Sequence, residues 1–193
     1  MKDTHALLGY AELIHITDHF IQKNTTIILG LGLAAGIGRF FQEGGNGEVS
    51  ATTHSIIETI VTAARFLTIL VVIGKGHIRS GLQRLVSLFR LTKTEWQSIW
   101  ANILNNFSAN FLAILINFLI YAIIAAAINI GLFALFGYTP FLEWLKLHEV
   151  ISPAASKWPV LLLLKNITII PFTFVFEVLL AIWIVKRNKT VNQ

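Results

Sequence analysis

Four long apolar runs, residues 25–41, 56–74, 103–137 and 159–185, alternate with shorter polar stretches along the chain. A helix needs about 20 mainly apolar residues to cross roughly 30 Å of hydrocarbon, so the second and fourth runs suffice and the first stands at the lower limit. The third, 103–137, would measure about 50 Å as one helix. A hairpin inside it would reverse the last span and export the tail residues Lys186, Arg187 and Lys189, so one long helix is the expectation. The pattern predicts an all-α integral membrane protein with about four transmembrane helices, arranged as a single membrane domain.

Between the runs the periodicity is amphipathic. In 6–22, Leu7, Tyr10, Ala11, Ile14 and Ile21 share roughly one helical face, which predicts an interfacial helix. In the central segment, 75–102, Ile78, Leu82, Leu85 and Phe89 form an apolar stripe flanked by Arg79, Arg84 and Arg90. Thr92 followed by Glu95, or Thr94 followed by Gln97, has capping-box spacing, so a second helix is expected to start near Glu95 and to carry Trp96 and Trp100 to the interface. Pro140 opens a further external interfacial helix, 140–152, ended near Pro153. Pro171 predicts a kink in the last span.

Composition sharpens this picture. The chain has 193 residues, 55% hydrophobic and 13% charged, with a mean hydropathy of +0.70, well outside the range of average soluble domains. The first twenty residues, interrupted by acids and histidines, lack the apolar core of a signal peptide, and Met1 is read as the mature start. Positive charge then sets orientation. Ten Lys and Arg residues fall on one side of the proposed spans, among them Lys75, Arg79, Arg84, Arg90 and Lys93 and the tail 186–193, against three (Arg39, Lys146 and Lys157) on the other. By the positive-inside bias both termini are cytoplasmic and the Gly-rich loop 43–55 is translocated. The net charge of +5 is therefore assigned to topology and anionic lipid rather than to nucleic acid. With no cysteine, disulfides, thiolate metal sites and cysteine nucleophiles are excluded.

Candidate chemistry lies in the polar groups inside the apolar runs. Arg65 and Glu177, counted from the cytoplasmic ends of their spans, are expected at similar depth and could form an ion pair or line an ion pathway; Glu58 and Lys165 lie nearer the outer ends. Gly32 and Gly36 form a G-x-x-x-G for close helix packing. Asn106, Asn110, Asn117 and Tyr121 fall within about 60° of one face of the long third helix, a helix-packing or partner-binding stripe. His15 and His19, at i and i+4, are the candidate metal or haem pair, with Glu12 or Asp18 nearby. No H-E-x-x-H, G-x-S-x-G, P-loop or dinucleotide-binding context is present, so no cofactor and no catalysis is expected.

The functional expectation is a non-catalytic accessory or scaffold subunit of a larger membrane complex in the bacterial inner membrane. Its partners would be lipid and other subunits or further copies, with the stripe of 75–102 as a docking face. A self-sufficient transporter using Arg65 and Glu177, and a redox anchor using His15 and His19, are the alternatives.

Overall fold

The computed structural model describes residues 9–185, which fold into helices without strands. In order these are α1 (Glu12–Lys23), α2 (Thr25–Gln42), α3 (Ala51–Ile73), α4 (Ile78–Leu88), α5 (Lys93–Ala109), α6 (Phe111–Tyr138), α7 (Phe141–Leu147), α8 (Trp158–Ile167) and α9 (Ile169–Val185). Residues 6–8 of the first expected helix, and the tail with Lys186 and Arg187, lie outside the described residues. Among those described, α2, α3, α6 and the α8–α9 pair are long and apolar enough to span a membrane, in keeping with a multi-pass membrane protein.

Local chemistry sets the helix ends. Ser50 Oγ accepts from Thr53 N, 3.2 Å, so α3 starts five residues before the apolar run expected to open it. The capping box is present in full: Glu95 N donates to Thr92 Oγ1 and Thr92 N donates to Glu95 Oε2, 2.7 Å. The Thr92 hydroxyl, which also donates to Glu95 Oε2 at 2.7 Å, and then the Thr92 N–H lower the Glu95 carboxyl from the usual carboxylate value. The central segment is accordingly two helices, α4 and α5. Pro159 sits in the first turn of α8, where its missing N–H costs nothing.

At the helix breaks one expectation changes and one, the kink at Pro171, is met. Residues 103–137 are not one helix: α5 runs on to Ala109, Asn110 leaves helical geometry (φ −122°, ψ 18°), and α6 starts at Phe111. The cause is local competition, since the Asn110 side-chain amide donates to Asn106 O, 3.1 Å. The last span is divided at Thr168 (φ −106°, ψ −83°), three residues before Pro171. Proline brings no N–H for the Ile167 carbonyl and its ring crowds that oxygen, so the chain turns there and resumes as α9.

The long apolar helices are antiparallel to their chain neighbours. Gly38 packs on Ile57 and Val61, which aligns α2 with α3; on its other side α2 meets α8. There Gly32 lies so close to Asn166 O that a Cβ would stand 2.7 Å from it, and Gly36 is as tight against Leu163 O at 2.9 Å. The G-x-x-x-G thus does what its spacing suggested, bringing two backbones together at the cost of about 1 kcal/mol per helical glycine. α6 runs alongside α8–α9 for their whole length, from Phe133 by Trp158 to Asn106 of α5 by Ile184. At one end of the bundle the loops after α2 and α7 join through Ser152 N to Gly45 O, 2.8 Å. The opposite end gathers α1, α4 and α5.

Candidate functional site at the junction of four helices

Arg65 is half-buried on α3, facing the break between α8 and α9. Its Nε and Nη2 both donate to Asn166 Oδ1, at 3.3 and 3.0 Å. The Asn166 amide is oriented for this because its Nδ2 donates back to Leu162 O, 2.8 Å, leaving the carbonyl oxygen turned toward the guanidinium. Gly32, Ala35, Thr68 and Pro171 close around the pair, and the cleft left between them holds about 10 Å³, room for about one water.

Arg65 does not pair with Glu177. Counting depth from the cytoplasmic ends assumed that α3 and the last span stop at the same level, and they do not. Arg65 meets Asn166, and Val72 packs in one cluster with Val175, so Glu177 falls level with the end of α3, about ten residues or ~15 Å beyond Arg65. Glu177 is exposed.

Nor does Glu58 answer Lys165. The two Arg39 Nη atoms bind both Glu58 oxygens, at 2.8 and 2.9 Å, and Gln42 Nε2 donates to Glu58 Oε2 at 3.1 Å and to His54 O at 3.0 Å. Lys165 leaves in another direction, its Nζ 5.0 Å from the centre of the Phe133 ring. Among the described residues the ion pairs are Arg39–Glu58 and Lys146–Glu143. Arg65 has no carboxylate within 4 Å there, although placing a cation in a span costs at least about 2.5 to 3.5 kcal/mol.

The polar stripe is a seam between helices. Asn117, fully buried, donates to Gly9 O and Ala113 O, both 2.8 Å, and accepts from Leu13 N, 3.0 Å. It caps α1 from a different helix, since Ala11 at that terminus has no side-chain acceptor. Asn106 Nδ2 donates to Ile184 O, 2.8 Å, and the Tyr121 and Thr173 hydroxyls lie 2.9 Å apart. Tyr121 also stacks on Phe176, centroids 4.6 Å apart. Asn110 binds within its own chain turn, as above.

The central stripe divides. Ile78 and Leu85 are half-buried, while Leu82 and Phe89 are exposed, Phe89 at 84%. α4 is fastened to the end of α3: Gly81 lies against the Leu70 backbone, and Arg84 Nη1 donates to Ile73 O, 2.7 Å, capping α3. Lys75, Arg79, Arg90 and Lys93 are exposed around it. His15 and His19 are both exposed on α1, and no group of three or more potential metal-binding side chains occurs among the described residues.

Sequence reasoning missed Asn166 and Arg39. Asn166 is a lone amide within an apolar run, itself a signal of helix contact, and Arg39, at the outer end of the first run, enters the sequence argument only through the charge count. Compared with known proteins, the chain matches no family model, no curated protein and no solved structure.

Proposed function

We propose that this protein is a non-catalytic subunit that builds a larger membrane assembly, multi-pass in a bacterial inner membrane, with the basic segment and both termini on the cytoplasmic side. The observation that carries this reading is how the polar groups within the spans are used. Asn106, Asn117, Tyr121, Glu58 and Asn166 are all bound to neighbouring helices or their side chains, and the cleft beside Arg65 is no larger than a water molecule. A conduit needs polar groups facing an open path; these face protein. Outside the spans, Leu82, Phe89, Trp96 and Trp100 stay exposed on α4 and α5, a surface suited to lipid headgroups or another subunit. Purification in mild detergent followed by light scattering tests the proposal. A stoichiometric complex is expected, and a lone monodisperse monomer would overturn it.

One observation favours a transporter as the second reading: the last span is discontinuous at Thr168, beside a cation and an amide, an arrangement also used by substrate sites of broken helices. In that case reconstituted protein moves an anion or proton and Arg65→Gln abolishes the flux. Glu177, far from Arg65 in depth, has no part in it.

A further inference from the structure

We propose that Arg65 is an intramembrane docking point for a carboxylate carried by a spanning helix of a different protein, received along the exposed face of α3. The proposal rests on the subunit reading above and names the chemistry of the contact.

Arg65 lies eight residues from Ile73 and fourteen from Ala51, so about 12 and 21 Å from the two ends of α3. Its two bonds to Asn166 hold the guanidinium at that depth instead of letting it stretch to a headgroup layer. A guanidinium has five N–H donors, and two are used here; no acceptor for the others occurs among the described residues. The neighbouring Arg39 and Glu58 neutralise each other, so the cluster keeps one uncompensated positive charge. The remaining cation of the spans, Lys165, sits on an aromatic ring elsewhere.

Arg65 keeps part of its surface exposed. α3 turns its other faces to α2, α4 and α9, and next to Arg65 it exposes Thr62 and Phe66, with Thr59 and Ser55 about 9 and 15 Å farther along the same strip. Ser55 and Thr59 satisfy their hydroxyls on their own helix, through Ala51 O and Ser55 O. They offer a low surface on which a second helix can approach closely.

A second copy of this chain does not fit the role. The spans of the described residues contain two carboxylates, Glu58, already held by Arg39 and Gln42, and Glu177, about ten residues lower in depth. In a copy of the same orientation neither reaches the level of Arg65, so the acid comes from another protein.

The test uses the full chain in zwitterionic vesicles at neutral pH, with labelled synthetic Leu/Ala spanning helices as probes, read by energy transfer. A helix with one central Asp is expected to associate about tenfold more tightly than its all-Leu counterpart. The advantage should vanish when the Asp is moved nine residues toward one end, and in Arg65→Gln. Because Arg65→Gln could disturb the bundle, Thr59→Phe provides a second variant: it leaves the Arg65–Asn166 pair in place and should block the probe by bulk. Equal binding of Asp and Leu helices, or undiminished Asp binding by both variants, overturns the proposal, as does displacement of the probe by phosphatidylglycerol alone. The probe requires no native complex, so the light-scattering result and this one can fail separately.

Discussion

The junction around Arg65 and the seam around Asn117 both place polar groups between spanning helices, yet they are built differently. The seam joins α5 and α6 to α9 and α1 with neutral amides and a phenol, each making its own bonds across a gap filled by side chains. The junction joins α2 to α8 by backbone contact at two glycines, with α3 tied in through the charged and amide side chains laid over it. A seam of separate bonds loses stability in steps, whereas a backbone contact admits no additional atom. The difference teaches where this fold is brittle.

The sharpest way to break the comparison is Gly36→Leu. With Leu163 O already 2.9 Å from a Cβ, the helices must separate, and a loss of about 3 kcal/mol or more is expected, read as collapse of the thermal transition in detergent. Asn117→Ala is next. It strands Leu13 N, while Gly9 O keeps its bond from Glu12 N, and should cost about 2 kcal/mol, with faster hydrogen exchange confined to α1. An equal loss of protection in α2 would show that the seam and the junction are one cooperative unit. Tyr121→Phe removes only the hydroxyl facing Thr173 and keeps the stack on Phe176, so about 1 kcal/mol or less is expected. Smallest is the acid response of α5. Because the folded-state pKa of Glu95 is lowered, the capping box adds stability that is present above the ordinary carboxylate range and is lost as pH falls through the lower folded value. Helicity measured across acid pH should show this loss in the native chain and a flat profile in Glu95→Gln.

Much of this was legible from residue order, for reasons that can be named. The four spans rest on composition alone, the α4–α5 division on the Thr92 and Glu95 spacing, and the close approach at Gly32 and Gly36 on residue size. Each of these is a local property. The depth of Arg65 relative to Glu177 is not, because it depends on α9 continuing past the level where α3 stops, and no residue on either helix records that offset. The break at Asn110 escaped for a different reason: the distribution of positive charge argued against a hairpin and so for one long helix, and it carries no information about an asparagine's local competition with the backbone. The pairing of Arg39 with Glu58 required knowing how tightly α2 and α3 turn on each other.

The unequal lengths of the helices have a mechanical consequence. At 1.5 Å per residue, α2 measures about 27 Å and α6 about 42 Å. In a bilayer the lipid beside α2 meets a hydrophobic wall shorter than that beside α6, and a mismatch of this size is relieved by tilting the long helix or thinning the membrane on the short side. Inserted in this way, the molecule would be a wedge in thickness, with a thin lipid environment beside α2 and a thick one beside α6.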